Sequence, residues 1–347
     1  MGRRKPAVIA ALLTALALGA VPVALGQDPA NGGLSPPSSA TPSGDAINEL
    51  YWFVFAICAV VFVAVEAALV LFIVRFRRRQ TTPEEAEGPQ IHGNTRLEII
   101  WTIIPAVILV GIAVVVLART SAVQATSGDR SNELVIRVEA HQFYWEYVYP
   151  EGQIAIDTLV LPAGRPVKLE LTSFDVNHSW WVPELTGKRD AIPGKTNELR
   201  FRPVREGVFE GRCAELCGIL HAVMPTTVEV VTQPEYTSWL ALVSGQDEPG
   251  ATQLRLGRET WDRVCAKCHG LAGEGDIGPP IAQNGTLVNE EALTRLLADG
   301  QDRPGFPGYM PPVGRGWPAF QVQALAAYIR SNERLAPPQQ PPAEGEG

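Results

Sequence analysis

Apolar and polar positions follow a different period in successive parts of the chain. Two long, nearly uncharged apolar runs, 51–74 and 99–118, are each long enough to cross a bilayer as a helix. Within 133–232, short stretches alternate apolar with polar or β-branched residues, which predicts the strands of a sandwich. Helical spacing returns at 254–264 and 322–330. The pattern therefore predicts a membrane hairpin, a β-sandwich and a small helical domain, in that order.

The first residues have the composition of a secretory signal. Arg3, Arg4 and Lys5 precede a mostly apolar run at 7–18, and a small-x-small ending follows at 24–26. An uncleaved first membrane helix is the alternative interpretation. The stretch that follows is rich in Gly, Ser and Pro and predicts a flexible leader that cannot bury a core.

Basic residues between the two apolar runs predict the orientation of the hairpin. The segment 75–96 contains five arginines and only three glutamates. Because basic residues near the spans mark the cytoplasmic side, we expect both termini of the hairpin to lie outside. Glu66 lies near the middle of the first run, where an ionisable side chain is costly. We expect it to contact another subunit.

Changes in composition along the chain give the predicted boundaries. They are a signal peptide at 1–26, a flexible leader at 27–46, a transmembrane hairpin at 47–120, a sandwich domain at 130–235, a linker at 236–251, a helical domain at 252–334 and a disordered tail at 335–347.

Charge and cysteine content narrow the function. The formal net charge of −8 does not suggest nucleic acid and suits a basic protein partner or an uncharged one. Four of the five cysteines fall in two compact motifs, so none is left for a disulfide framework. The fifth, Cys58, lies in an apolar run and is interpreted as a small hydrophobic residue.

The first cysteine motif has the composition of a soft-metal site. Cys213, Cys217, His221 and Met224 fall within twelve residues, and His178 precedes them at a distance. Two imidazoles, a thiolate and a weak axial thioether bind one copper ion for electron transfer, and a second thiolate would allow two ions to share both sulfurs. A disulfide between the two cysteines is the alternative, but it would leave the spacing of the other donors unexplained.

The second motif, Cys265-Ala266-Lys267-Cys268-His269, has the C-x-x-C-H spacing of covalent haem c attachment. The two cysteines would form thioethers and His269 would bind iron. Met310 is the candidate sixth ligand, because Met1 is excluded by its position and Met224 belongs to the first motif. A zinc knuckle is the alternative, but no further Cys or His follows His269.

The run C-x-E-x-C-x-x-x-H-x-x-M at 213–224 resembles the binuclear copper A site of cytochrome c oxidase subunit II. The resemblance implies a cupredoxin-like sandwich that holds two copper ions. The implied ligands are His178, Cys213, Cys217, His221 and Met224, together with the main-chain carbonyl of Glu215.

The same resemblance implies roles for four other side chains. The Glu215 carboxylate would reach a magnesium ion at the boundary with the catalytic subunit, and Glu98 would collect protons at the cytoplasmic mouth of the second helix. Phe143 and Trp145 would be the aromatic residues through which electrons arrive. Many relatives have Trp where this chain has Phe143, so this chain departs from the family at the position where a soluble cytochrome would deliver electrons. His141 is interpreted as a structural histidine.

The predicted fold class is a multidomain membrane protein with a two-helix transmembrane hairpin, an all-β cupredoxin-like sandwich and an all-α class I cytochrome c domain. The resemblance implies subunit II of a caa-type haem-copper oxidase in a bacterial cell membrane, with its copper and haem domains on the outer face. Implied partners are catalytic subunit I, other oxidase subunits and a donor such as a cytochrome bc complex or a cytochrome c. A membrane-anchored copper and haem shuttle that serves a different reductase is the alternative.

Overall fold

A computed structural model describes residues 35–76, 90, 93–124, 132–244, 249–301 and 309–336. The chain divides into two compact units, one formed by the long apolar helices and the other by 40–44 and 124–347. The predicted signal peptide, the arginines at 77–79 and the tail beyond 336 lie outside the described residues.

The first unit is a pair of long helices, α1 (Pro42–Phe76) and α2 (Thr95–Val123). Both are long and apolar enough to cross a membrane, and their apolar side chains face outward rather than into a core. Arg119 near the end of α2 pairs with Glu49 near the start of α1 at 3.1 Å, so the helices run antiparallel. The helical path continues through Pro105. The hairpin is confirmed, and both helices extend beyond the predicted 47–120.

The second unit begins with a sandwich of ten strands. They are β1 (Leu134–His141), β2 (Tyr144–Val148), β3 (Ile154–Ile156), β4 (Thr158–Pro162), β5 (Val167–Ser173), β6 (His178–Trp181), β7 (Arg189–Ala191), β8 (Asn197–Phe201), β9 (Gly207–Cys213) and β10 (Pro225–Val231). One sheet has the order β3-β2-β1-β5-β8 and the other β4-β10-β9-β6-β7. The alternation seen in the sequence points every second side chain of β1 and β5 into the core, where Trp145 and Trp180 are fully buried.

The end of the predicted leader is attached to the sandwich rather than free. The Ala40 amide donates to the Glu184 carbonyl at 2.8 Å, and the Ala40 carbonyl accepts from Val204 at 2.9 Å. Ala40 and Thr41 are each 1% exposed. The leader prediction is therefore wrong for these residues, because pairing with the backbone of a distant segment offsets a composition that favours disorder.

The range predicted as a linker contains most of a helix, α3 (Gln233–Ser244). Tyr236 is buried, and the Trp239 ring lies 4.9 Å from the Tyr149 ring of the sandwich. At least 236–244 is therefore part of the folded unit, because two aromatic side chains pay the entropic cost of ordering the segment by covering apolar sandwich surface.

The helical domain consists of α4 (Pro249–Thr260), a π-helical turn (Trp261–Cys265), α5 (Ala266–His269), α6 (Glu290–Asp299) and α7 (Ala319–Ser331). The first and last long helices cross closely at Gly257, where a Cβ atom would collide with the Ala324 carbonyl. Leu335, placed at the start of the predicted tail, is fully buried in the core of this domain, so the tail prediction is wrong at that residue.

The sandwich and the helical domain share one apolar cluster. Tyr144, Val148, Ile154 and Ile156 of β2 and β3 pack with Leu256 and Val264 and with Ala324 of α7. The Tyr144 hydroxyl donates to the Val313 carbonyl at 2.6 Å and accepts from the Trp317 indole at 2.8 Å. The two domains are therefore joined by a buried interface with defined hydrogen bonds.

Candidate copper and haem sites

The sulfur and nitrogen donors of the first motif converge at one end of the sandwich. Cys213 is the last residue of β9, and His178 is the first residue of the neighbouring strand β6. Cys217, His221 and Met224 follow in the loop between β9 and β10. The strand ends therefore bring together residues 35 positions apart in the sequence.

The distances between donor atoms place both sulfurs at the centre of the group. The Cys213 and Cys217 Sγ atoms are 3.9 Å apart. The Cys213 Sγ lies 3.9 Å from His178 Nδ1 and 3.2 Å from the Glu215 carbonyl oxygen. The Cys217 Sγ lies 3.6 Å from His221 Nδ1 and 3.8 Å from Met224 Sδ. Each thiol therefore has an imidazole and a third donor of its own.

The two thiols are free in this structure. A disulfide would bring the sulfurs to about 2.05 Å, far closer than the observed separation. The alternative of a structural disulfide therefore does not match the geometry.

Main-chain hydrogen bonds fix the shape of the loop. The Cys213 amide donates to the Met224 carbonyl at 3.0 Å, and Gln142 Nε2 donates to the Cys217 carbonyl at 2.6 Å. Gly218 follows with a φ of 134°, and a Cβ atom there would press against Gln142 and Phe143. The loop is therefore closed against the segment that follows β1.

Asp175 orients His178, a contact that the sequence analysis missed. Its Oδ1 lies 2.8 Å from His178 Nε2, which leaves Nδ1 facing Cys213. Burial lowers the pKa of His178, but hydrogen bonds with Asp175 and Cys213 outweigh it, so the net shift is upward. The sequence signal that could have identified this contact is an acidic residue three positions before a candidate ligand.

The two thiols have unlike proton affinities because they are hydrogen-bonded to each other. The contact between the two sulfur atoms holds the pKa of Cys213 well below its usual range. The same contact, together with burial, raises the pKa of Cys217. The pair therefore carries one negative charge readily, and soft sulfur and imidazole donors of this kind fit copper.

The Glu215 carboxylate lies at the surface beside a lysine. Its Oε2 is 3.8 Å from Lys188 Nζ, which also lies 3.6 Å from Asp190 Oδ1. Asp190 in turn accepts from the Ser179 hydroxyl at 2.8 Å. Carboxylate oxygen is the ligand type that magnesium prefers. Within this chain, the partner of the Glu215 carboxylate is the Lys188 ammonium group.

The three aromatic side chains near the motif are all buried. The Trp145 ring is fully buried and lies 6.0 Å from the ring of the candidate ligand His178, edge to face. Phe143 is only 8% exposed. His141 is stacked between Tyr144 and Phe174, and burial lowers its pKa to about 3. Its Nε2 has no hydrogen-bond partner among the described residues, so ring stacking and burial rather than hydrogen bonds hold the side chain.

The residues of the second motif surround a cavity of about 400 Å³ in the helical domain. Cys265, Cys268, His269 and Met310 all line it, and much of the remaining wall is leucine and isoleucine. A mostly apolar cavity with two thiols, an imidazole and a thioether fits a covalently bound haem.

His269 is oriented for ligation by a main-chain contact. Its Nδ1 donates to the Pro279 carbonyl at 2.8 Å, which leaves Nε2 available as a ligand. Burial lowers the pKa of His269, which favours the neutral ring, the form that binds metals. The Met310 backbone pairs with that of Gln301, and the neighbouring Tyr309 hydroxyl donates to the Asp299 carbonyl at 2.7 Å.

Glu98 lies in the first turn of α2. Its Oε1 accepts from the Asn94 amide at 3.2 Å, while the Asn94 side chain accepts from the Leu97 amide at 3.3 Å. These reciprocal contacts stabilise the start of the helix. Glu66 is exposed on α1.

Family profiles match all three parts of the chain. The profile of the cytochrome c oxidase subunit II transmembrane domain matches residues 29–118, and that of the subunit II periplasmic domain matches 152–231. A third profile, cytochrome c oxidase cbb3-type subunit III, matches 252–329.

Individual relatives agree with these profiles. Cytochrome c oxidase subunit 2 of Alkalihalophilus pseudofirmus is 35% identical over 291 residues, which cover 79% of this chain and 84% of the relative. Subunit 2 of Bacillus sp. strain PS3 is 32% identical over 292 residues, covering 74% of this chain and 79% of the relative. The crystal structure of the periplasmic domain of subunit II from Bradyrhizobium japonicum is 32% identical, covers 33% of this chain and 94% of that one, and gives a TM-score of 0.32.

The relatives are subunits of an oxidoreductase, and their similarity extends over most of the length of each. The resemblance that the copper motif indicated is confirmed. This chain therefore belongs to the cytochrome c oxidase subunit II family and carries a cytochrome c domain at its C-terminal end.

Proposed function

We propose that this chain passes electrons from a haem c in its helical domain to a binuclear copper A centre in its sandwich. From there they would reach the catalytic subunit of a haem-copper oxidase, which reduces oxygen to water and translocates protons. The observation that supports this route is the wall of the haem cavity. Part of that wall belongs to the loop 214–224 between β9 and β10, the copper loop, which carries most of the candidate copper ligands.

The shared wall brings the two candidate sites into direct contact. Gly218, Ile219 and Leu220 come from the loop that carries Cys217 and His221, and they line the same cavity as Cys265 and Cys268. Gln142 also lines the cavity while its side chain binds the Cys217 carbonyl. Within the part of the chain that the structure describes, no third domain separates the candidate haem ligands from the candidate copper ligands.

The ligand residues have separate tasks in this proposal. Cys265 and Cys268 attach the haem, while His269 and Met310 bind its iron. His178, Cys213, Glu215 through its carbonyl, Cys217, His221 and Met224 hold two copper ions. Bound haem and copper supply reversible one-electron chemistry. The chain keeps the two thiols fixed and almost free of water, since Cys213 and Cys217 are each only 3% exposed.

Burial of Phe143 determines how an outside donor can reach the chain. At 8% exposure Phe143 offers almost no surface to a soluble protein, and its carbonyl is bound by Lys267 of the helical domain. A cytochrome c or a membrane-bound cytochrome bc complex would therefore reduce the haem rather than the copper centre. Phe143 and Trp145 would lie between the two centres instead of on a docking surface.

The remaining assignments concern contacts with other subunits. Glu215 would share a magnesium ion with catalytic subunit I, and Glu98 would collect protons at the cytoplasmic end of α2. The sandwich and helical domain would lie on the outer face of a bacterial cell membrane. These assignments are supported by residue type and by family membership.

Purification in detergent followed by anaerobic kinetics tests the route. We expect the chain to purify with a haem-containing catalytic subunit and to contain two copper ions and one covalent haem. After rapid reduction of haem c, its absorption should decay as the near-infrared copper absorption is lost, with matching rate constants. An isolated chain with both metal sites would support the shuttle instead. A single copper ion per sandwich would contradict the binuclear centre.

A further inference from the structure

Lys267 lies between the two haem-attaching cysteines in sequence, yet its ammonium group binds the sandwich. Lys267 Nζ is 2.6 Å from Asp157 Oδ2 and donates to the Phe143 carbonyl at 2.8 Å. The side chains of Lys267 and Asp157 are 17% and 3% exposed. The C-x-x-C-H segment is therefore attached to the copper domain by an ion pair with little access to water.

Asp157 is held rigidly by the sandwich on its other side. Its Oδ1 accepts from the Trp145 amide, and its own amide donates to the Trp145 carbonyl, both at 2.8 Å. Burial raises the pKa of Asp157, and Lys267 counteracts this. Among the described residues, Lys267 is the one cation that forms an ion pair with Asp157. The carboxylate is therefore fixed in place and depends on the helical domain for its neutralising charge.

The Phe143 carbonyl, which binds Lys267, lies next in sequence to a residue that contacts the copper loop. Phe143 lines the haem cavity, and the preceding residue, Gln142, binds the carbonyl of the candidate ligand Cys217 at 2.6 Å. Any shift of Lys267 relative to Phe143 therefore changes the position of the haem-attachment segment relative to the copper ligands.

The rest of the interface combines apolar packing with a few hydrogen bonds, at Tyr144 and at Glu146, and among the described residues Lys267 and Asp157 form its one ion pair. Packing of Tyr144 and Ile156 against Leu256 gives contact area but tolerates small rotations. A buried ion pair does not, because a shifted orientation leaves both charges desolvated and unpaired. The ion pair can therefore select one orientation of the helical domain among several that bury a similar apolar area.

We propose that Lys267 is a positioning residue that holds the haem c domain in the single orientation in which the haem cavity opens onto the copper loop. The inference rests on the proposed electron route and adds to it a fixed docking geometry. The helical domain then works as a docked module rather than as a mobile one that must find the copper centre at each turnover.

The test compares four variants of the full oxidase complex. Lys267→Met removes the charge but keeps an unbranched side chain of similar length. Lys267→Arg is the conservative variant, which keeps the charge. Asp157→Asn removes the other charge and keeps an oxygen for the Trp145 amide. Lys195→Met is the matched control, since Lys195 is exposed on the sandwich and forms no ion pair with another described residue.

Two readouts are measured, electron transfer from haem c to copper and amide hydrogen exchange of β2 and β3. We expect Lys267→Met and Asp157→Asn to slow electron transfer about tenfold, because only the molecules whose helical domain is docked can transfer an electron to copper. The rate should become sensitive to solvent viscosity, and the covered strands should exchange faster. Haem and copper spectra should stay unchanged. Lys267→Arg should restore part of the rate, and Lys195→Met should match the wild type.

The outcomes separate this inference from the proposed function. Wild-type rates and wild-type protection in Lys267→Met would overturn the positioning role and leave the electron route intact. If the wild type itself does not transfer electrons from haem to copper, the proposed function fails, and hydrogen exchange alone decides whether Lys267 docks the domain. If Lys267→Met fails to attach haem, Asp157→Asn provides the same test from the other domain.

Discussion

The copper site and the haem site are built in opposite ways, although each takes most of its ligands from one short motif. At the copper site, strand ends and main-chain hydrogen bonds already hold the donor atoms 3.2 to 3.9 Å apart. At the haem site, the ligands surround a cavity of about 400 Å³ inside a small helical domain. The protein alone therefore forms the copper site, whereas the haem site is complete only when haem fills the cavity.

This difference has a thermodynamic consequence. Without haem, the leucine and isoleucine side chains that line this cavity lose the group they pack against and meet water instead. Whole domains are stable by only about 5 to 15 kcal/mol. We therefore expect the helical domain to need its haem in order to fold, and the sandwich to keep its fold without copper.

The largest expected effect follows from removing haem attachment. The double substitution Cys265→Ser and Cys268→Ser should unfold the helical domain, because its core would lose the group that fills the cavity. The sandwich should keep its β-sheet signal and its copper absorption. Circular dichroism and limited proteolysis of the purified complex measure both effects.

Cys58→Ser is the matched control for this experiment. Cys58 is exposed on α1, away from both candidate sites in sequence, so its loss should change neither domain. A double variant that resists protease as well as the wild type would show that the helical core is stable without haem and would remove the contrast between the sites.

A smaller effect is expected at Glu146, which lies at the interface between the domains. Its Oε2 accepts from Gln321 Nε2 at 3.0 Å, and burial raises its pKa from 4.5 to about 7. The folded state therefore keeps the proton at a pH where the unfolded chain has lost it. Stability from this group is fully present below about pH 4.5 and is lost as pH rises through 7, by about 3 kcal/mol.

Substitution Glu146→Gln should abolish this part of the pH dependence. Thermal unfolding from pH 4 to 8 should show the variant gaining stability relative to the wild type as pH rises. Glu210→Gln, at an exposed position of β9, is the control and should keep the wild-type profile. Parallel profiles for Glu146→Gln and the wild type would mean that the carboxyl group is ionised at the interface.

The smallest expected effect concerns a single hydrogen bond of the copper loop. Gln142→Leu removes the donor to the Cys217 carbonyl and should lower the free energy of unfolding by about 1 kcal/mol. The copper absorption should shift slightly but persist, because the other main-chain bonds of the loop remain. Gln253→Leu, exposed on α4, is the control. Complete loss of copper binding in Gln142→Leu would show that the loop is less preorganised than its contacts indicate.

Local spacing explains why the sequence predicted most of the site. Few residues separate Cys213 from Met224 or Cys265 from His269 in the sequence. The donor atoms of each motif therefore stay close together in most loop conformations. The apolar runs of α1 and α2 likewise carry their own signal, since a helix of about 20 apolar residues needs a bilayer or a core around it.

Contacts between distant segments account for what the sequence did not predict. Asp175 was missed because its position three residues before His178 does not by itself show that the loop turns the carboxylate onto the imidazole. The segment at Ala40 and the helix α3 were assigned to flexible regions because their partners, Glu184 and Tyr149, are far away in the chain.

The sequence by itself determined the donor sets, the membrane helices and the order of the domains, because each depends on residue type and short-range spacing. Only the tertiary structure decided that the haem cavity opens onto the copper loop and that Lys267 reaches Asp157. That arrangement depends on the packing of two folded surfaces, and the free energy of such packing resides in pairs of residues that are more than a hundred positions apart.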